Sequence, residues 1–351
     1  MKIIHTADIH LGSKINSFPK EVSISRKEEV RNSFKRMVEY AKQNDVKIIL
    51  IRGDLFDGVK PLVKDKEFFY SVVKNNPEIE FLYLKGNHDL SSSDKELDNL
   101  KLFNDKWTSY RYGDVVVSGV ELIKENALSI YSTLNLNEND KNIVMLHGEA
   151  GDGVGVQKVN LAKLRGKNID YMALGHYHSF ETDKLDQRGV YAYSGCLEGR
   201  GYDETGEKGF VLIEILDKIS YKFIPFSKSN VSLVSVDVTN LKDAYSIYLN
   251  VKTVANFNKN GIYRVELYGE LDANIEDVER DIKKYLETEA LYIDVKDLTR
   301  KKIDISRYES DASIKGEFVR AVYQSFELTD EDKAKVISYG LKALSGEEVD
   351  L

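Results

Sequence analysis

Along the first half of the chain, apolar residues come in short runs that each stop at a glycine and a cluster of polar side chains. "KIIHTAD" (2–8), "VKIILIRGD" (46–54), "EFLYLKGNHD" (80–89), "KNIVMLHGE" (141–149) and "IDYMALGHYH" (169–178) share this form, and "DVVVSGVEL" (114–122) adds a similar run. Runs of this length, rich in β-branched residues, predict buried strands of a largely parallel sheet. Between the first two, Val30, Phe34, Met37, Val38 and Ala41 recur at three- and four-residue spacing. That spacing predicts a helix over 25–42, capped by Ser25 with Glu28 three residues on. The chain therefore opens β-α-β, with a parallel strand pair.

After "FIPFSKSN" (223–230) the strand and helix signals restart without further histidines. Alternating Val234, Val236 and Val238 predict a strand, 241–256 a helix, and Ile262, Val265 and Leu267 a second strand. A helix capped by Asn274 would carry Ile275, Val278, Ile282 and Leu286 on one face, before a short strand at 291–296. Two helices close the chain, one with Ile314, Phe318, Val322 and Phe326 in a stripe, the other after Thr329 with Ala334, Ile337, Leu341 and Leu344. The predicted organisation is a domain over 1–228, a small α+β domain over 229–300 and helices over 301–351.

The polar clusters carry the chemistry. Asp8 and His10, Asp54, Asn87 and His88, His147, and His176 and His178 each follow a predicted strand, so five of the six histidines sit at strand ends. Loops at the carboxyl ends of strands in α/β proteins gather around one crevice, which makes a single shared site the expectation. Asp8, His10, Asp54, Asn87, His147, His176 and His178 offer only oxygen and imidazole nitrogen, suited to manganese, iron or zinc. Seven ligands exceed the needs of one ion, whereas two ions about 3.5–4 Å apart use them well, as in phosphate-ester hydrolysis. Two divalent cations outweigh the charge of two aspartates, so such a site is ready for an anionic phosphate. Gly53, Gly86 and Gly175 precede these residues and allow backbone to approach closely.

Other residues carry weaker signals. His5 lies three positions before Asp8, which on a strand puts it on the opposite face, and it is expected in the core. Asp57 could support the site or cap its loop. Arg200 and Lys208, in the glycine-rich "GCLEGRGYDETGEKG", could meet a phosphate backbone or simply belong to the loop. Cys196, the one cysteine, excludes an internal disulfide and is expected to be packed rather than nucleophilic. Fifty basic against 58 acidic residues give a net charge of −8, which weakens an unaided grip on nucleic acid. No apolar run approaches the roughly 20 residues of a membrane span, and the amino terminus lacks a signal-peptide pattern, so a cytoplasmic protein is expected.

The ordered set "DIH", "GDLFD", "GNHD", "LHGE" and "GHYH" resembles the calcineurin-like metallophosphoesterase superfamily over roughly residues 1–225. The resemblance implies a sandwich of two mixed β-sheets flanked by helices. It implies Asp8, His10, Asp54 and His178 on one metal, and Asp54, Asn87, His147 and His176 on the other, with Asp54 bridging. His88 would protonate the leaving alkoxide and Asp89 orient its ring. "HTADIHLGS" and "GDLFDG" are most similar to the SbcD-like nucleases of double-strand-break repair. Serine/threonine phosphatases would instead show an arginine after GDxVD and a GNHE. This branch implies two divalent ions, manganese first, with iron, zinc or magnesium as alternatives. It also implies a DNA exo- or endonuclease, a homodimer, and a partner ATPase of the SMC-like coiled-coil (SbcC-like) kind, docked through the closing helices. Phosphatase or cyclic-nucleotide phosphodiesterase action on the same site is the alternative, and a non-catalytic scaffold a third reading.

Overall fold

A computed structural model describes residues 1–58, 60–86, 89, 96–271, 275, 277–301 and 305–346. Asn87 and His88 lie outside the described residues, as does Asn274. The chain forms two compact units, Met1–Leu233 with Lys259–Tyr263, and Val234–Asn258 with Arg264–Leu351.

The first unit contains strands β1 (Lys2–Ala7), β2 (Ile48–Arg52), β3 (Glu80–Leu84), β4 (Leu100–Leu102), β5 (Thr108–Tyr112), β6 (Val115–Gly119) and β7 (Lys141–His147). A short parallel pair, β8 (Glu149–Gly151) and β9 (Lys158–Asn160), follows. Then come β10 (Tyr171–Gly175), β11 (Glu181–Lys184), β12 (Val190–Tyr193), β13 (Gly209–Ile215) and β14 (Ile219–Pro225). Two six-stranded mixed sheets result, in the orders β14-β13-β1-β2-β3-β4 and β11-β12-β10-β7-β6-β5. β1, β2 and β3 are parallel neighbours in one sheet, and β6, β7 and β10 in the other.

The strand runs are apolar throughout because both faces are covered. Alternate residues Ile48, Leu50, Leu82 and Leu84 meet Ile143, Met145, Tyr171 and Ala173 between the sheets. Ile49, Ile51, Phe81 and Tyr83 face outward onto α1 (Lys20–Gln43) and α2 (Val63–Lys74). Val144, Leu146, Met172 and Leu174 of the second sheet pack near α3 (Ile130–Thr133). This sandwich brings the carboxyl ends of β1, β2 and β3 opposite those of β7 and β10. The strand ends therefore converge from two sheets rather than along one.

Helix α1 starts at Lys20, after Pro19, five residues before the expected cap, and Ser25 lies inside it. The buried face of its first half is polar, with Ser23, Arg26, Glu29 and Ser33 turned inward. The residues ahead of the predicted start bury Ser23 and no apolar side chain, so a hydrophobic period has nothing to register there. His5 is fully buried, with Nδ1 2.9 Å from Tyr171 Oη and Nε2 3.1 Å from the Leu174 carbonyl.

The second unit is built on the three-stranded sheet β15 (Val231–Asp237), β16 (Ile262–Tyr268) and β18 (Tyr292–Asp297), with the two-residue pair β17 (Glu270–Leu271) and β19 (Arg300–Lys301). Helix α4 (Ala244–Ala255) begins at a capping box formed by Asp243 and Ser246. Helix α5 (Val278–Leu286) follows Asp277 and buries Val278, Ile282 and Leu286. After α6 (Ser306–Glu309) come α7 (Ile314–Tyr323) and α8 (Asp330–Ser345), capped by Ser313 and Thr329. Helix α7 ends before Phe326, which is fully exposed rather than part of a packed stripe. Among the described residues no helix is long and apolar enough to cross a membrane.

Candidate metal centre

Asp8, Asp54 and His176 sit where a strand has just ended, His147 is the last residue of β7, and the loops are laced by backbone hydrogen bonds. Asp8 N–H donates to the Gly53 carbonyl (3.2 Å), His10 N–H to Asp54 (2.9 Å) and Leu11 N–H to Leu55 (2.8 Å). Gly53 N–H in turn donates to Leu84, the last residue of β3 (2.7 Å). Asp89 completes the lacing. Fully buried, it accepts from the N–H groups of Leu55 (3.2 Å), Phe56 (2.9 Å) and Gly86 (3.1 Å). Burial raises its pKa to about 6, against the pull of those donors.

Asp8, His10 and Asp54 adopt left-handed backbone, with φ of 50°, 50° and 47°, and His176 has φ of 120°. Such conformations cost on the order of 1–3 kcal/mol each for non-glycine residues and persist where surrounding structure imposes them. Four strained residues at one place mark the crevice independently of their chemistry. The glycines complete the crowding: a Cβ on Gly53 would overlap the His147 ring, one on Gly86 the Asp54 carboxylate, and one on Gly175 the Arg52 carbonyl. Gly53→Ala is expected to lower stability by about 2–5 kcal/mol, the sum of left-handed strain and overpacking. Gly113→Ala, with φ of 66° and open space around it, should show the strain alone. Equal shifts of the urea midpoint in the two variants would refute the crowding.

Two donor groups emerge. Ligand atoms of Asp8, His10 and His178 lie within 4.8 Å of one another, as do those of Asp8, Asp54 and His147. Asp8 is common to both, whereas Asp54, the expected bridge, falls in the second. His176 stands beside them: its N–H donates to both Asp8 oxygens (3.1 and 3.0 Å), and its ring is edge-on to His147. Tyr177 is 38 % exposed and meets the Tyr193 ring edge-on.

The imidazoles are oriented from behind. His147 Nδ1 lies 3.4 Å from the Arg52 carbonyl and its Nε2 3.4 Å from Asp54 Oδ2. His10 Nδ1 lies 3.2 Å from Asp57 Oδ1, and His178 Nδ1 2.7 Å from Glu204 Oε1. In the tautomer in which each Nδ1 donates to its carboxylate, the two Nε2 atoms, 3.3 Å apart, turn lone pairs toward each other, while His178 Nδ1 also lies 3.2 Å from Arg200 Nη2. Two lone pairs facing each other repel unless a cation lies between them. A metal ion fits this donor set for that reason.

Charge points the same way. Burial and the neighbouring Asp54 push the Asp8 carboxyl well above the usual carboxylate range. Burial lowers His10 to about 4, so its ring is a neutral donor at pH 7. Burial would raise Glu204, but hydrogen bonds from His178 and Arg200 outweigh it and hold the group well below the ordinary range.

Arg52 and Glu204 went unread in the sequence, whereas Asp57, left open there between supporting the site and capping its loop, stands behind His10. Arg52 is fully buried between the sheets, its Nε donating to the Ala173 carbonyl (2.8 Å), with the charges of Asp8 and Asp54 acting on it. Burial lowers it to about 9, which leaves it a cation at neutral pH. The one hint was an arginine ending the apolar run "IILIR". For Arg200 and Lys208 the sequence left open a phosphate contact or a place in the loop's own structure. Arg200 is committed to Glu204, and Lys208 is 1 % exposed with its ammonium donating to the His178 carbonyl (2.9 Å). Both brace the "GHYH" loop. Cys196 is buried and its thiol is pushed up by desolvation, as a packed residue should be.

A two-sheet sandwich with carboxylate and imidazole donors at its strand ends is the architecture of a metal-dependent phosphoesterase. The family model for calcineurin-like phosphoesterases matches residues 1–180, and this chain belongs to that family. Its relatives include the DNA double-strand break repair protein Mre11 of Sulfurisphaera tokodaii, 26 % identical over 76 % of this chain and 73 % of that protein. They also include the uncharacterized metallophosphoesterase YhaO of Bacillus subtilis, 26 % identical over 74 % of this chain and 69 % of that one. Among solved structures, a dimetal phosphatase from Danio rerio is 11 % identical, covers 63 % of this chain and 95 % of its own, and has a TM-score of 0.42. The chain is a metal-dependent hydrolase of phosphate esters of the Mre11-like branch.

Proposed function

We propose that this protein is a two-metal phosphodiesterase that cleaves DNA, acting as the nuclease subunit of a double-strand-break repair complex. The observation that carries the reading is the pair of donor groups sharing Asp8. Similarity to Mre11 proteins supports DNA as the substrate class.

In this reading Asp8, His10, Asp54, Asn87, His147, His176 and His178 hold two divalent ions, manganese first. When bound, the ions polarise the phosphoryl oxygens and lower the pKa of the attacking water. The rest falls to the protein. Asp57 and Glu204 keep the Nε2 atoms of His10 and His178 bare and aimed inward, and the laced loops hold all donors to one geometry. His88 delivers a proton to the departing sugar oxygen, on a loop that Asp89 clamps. Residues 229–300 help select the DNA structure, and the helices of 301–351 dock a coiled-coil ATPase. A cytoplasmic homodimer completes the proposal.

The net charge of −8 favours a smaller substrate as the competing reading. Turnover of linear duplex DNA, a chromogenic phosphodiester and the matching monoester, each with manganese and with or without the ATPase, separates the two. Cleavage of DNA and diester, at least tenfold faster than of monoester and faster still with the ATPase, is expected. Monoester turnover with intact DNA would overturn it.

A further inference from the structure

The two donor groups are supported unequally. Behind His147 stands a neutral backbone carbonyl, that of Arg52. Behind His10 and His178 stand carboxylates, Asp57 and Glu204, and one cation serves both. The Arg200 guanidinium donates to Glu204 through Nε (3.2 Å) and Nη2, its own backbone N–H adds a third bond (2.7 Å), and Nη1 lies 3.8 Å from Asp57.

This cluster is itself held rigidly. Arg26, fully buried on α1, donates to the Gly199 carbonyl and pairs with Glu198 at 3.0 Å. Glu198 also accepts from Ser33 Oγ (2.5 Å) and the Lys228 N–H (2.7 Å). The polar inner face of α1 therefore anchors the loop from which Arg200 reaches the site. Without Arg200, two carboxylates would stand near each other behind paired imidazoles. With it they are neutralised in part and locked in place.

We propose that Asp57, Arg200 and Glu204 form a positioning device that makes Asp8–His10–His178 the tighter of the two metal positions and the first to fill. The inference rests on the two-metal reading above. A carboxylate behind a ligating imidazole fixes its tautomer and strengthens it as a donor, and removing such support typically costs 10–100-fold in metal affinity. A neutral carbonyl offers less, so the His147 side should be weaker.

The test is calorimetric titration of manganese into the metal-free full-length protein, without substrate, followed in parallel by the electron paramagnetic resonance of bound ions. Two steps are expected in the wild type. Glu204→Gln, which keeps shape and one acceptor but removes the charge, should weaken the tighter step about 10–100-fold and leave the other unchanged. Asp57→Asn, at a side chain 27 % exposed, should move the same step in the same direction. Unchanged constants in both variants, or a shift confined to the weaker step, overturn the positioning role. A wild type that binds fewer than two ions overturns the two-metal reading instead, so the two failures are distinguishable.

Discussion

Asp8→Asn is expected to melt higher than the wild type in chelator, to gain almost nothing from manganese, and to lose at least roughly 10³-fold in phosphodiester turnover, about 4 kcal/mol of transition-state stabilisation. Asp8 is fully buried and belongs to both donor groups. Burial and the Asp54 charge raise its pKa, while the His176 N–H and the cations Arg52 and Arg200 only partly oppose them. The metal-free protein therefore keeps an expensive carboxylate for the sake of an ion.

The sign follows from proton linkage. A carboxyl whose folded pKa lies above its unfolded value binds more protons when folded. Its contribution to stability then falls as pH rises through the window between the two. At low pH Asp8 is protonated and resembles asparagine, so wild type and variant should converge. Their difference should be largest at neutral pH and shrink toward the ordinary carboxylate range. Calorimetric scans from pH 8 to pH 5 in chelator check this, and a variant less stable than wild type at pH 8 would refute it.

The second large effect concerns His88, whose role is proposed from its place in "GNHD". His88→Ala should retain two manganese ions per chain and lose about 10²–10⁴-fold in DNA cleavage, the usual worth of a positioned general acid. A chromogenic diester with an acidic phenol leaving group needs little protonation, so its turnover should fall far less. Loss of metal in this variant, or equal losses on the two substrates, would remove His88 from the role of proton donor.

Legibility of the fold varied with what each residue reports. The apolar runs ending at "DIH", "GDL", "LHG" and "GHYH" announced the strands because burial on both faces leaves a continuous signal in the sequence. The same runs placed Asp8, Asp54, His147 and His176 at strand ends. The first turn and a half of α1 stayed hidden because the side chain it buries is a serine, Ser23, and not an apolar one. Glu204 stayed hidden because nothing in "GRGYDETGEKG" separates an acid that grips His178 from one that faces water.

Two things, then, were determined along the chain: which residue types end each strand, and hence a donor set of oxygen and imidazole nitrogen. Pairing in space was not. That Asp8 is shared between two donor groups, that Nε2 of His10 faces Nε2 of His178 at 3.3 Å, and that Arg200 serves Glu204 rather than open solvent emerge only when two sheets face each other. Chain order constrains neighbours a few residues apart. The distance between positions 10 and 178 depends on the packing of Leu50, Leu82, Met145 and Ala173 between the sheets.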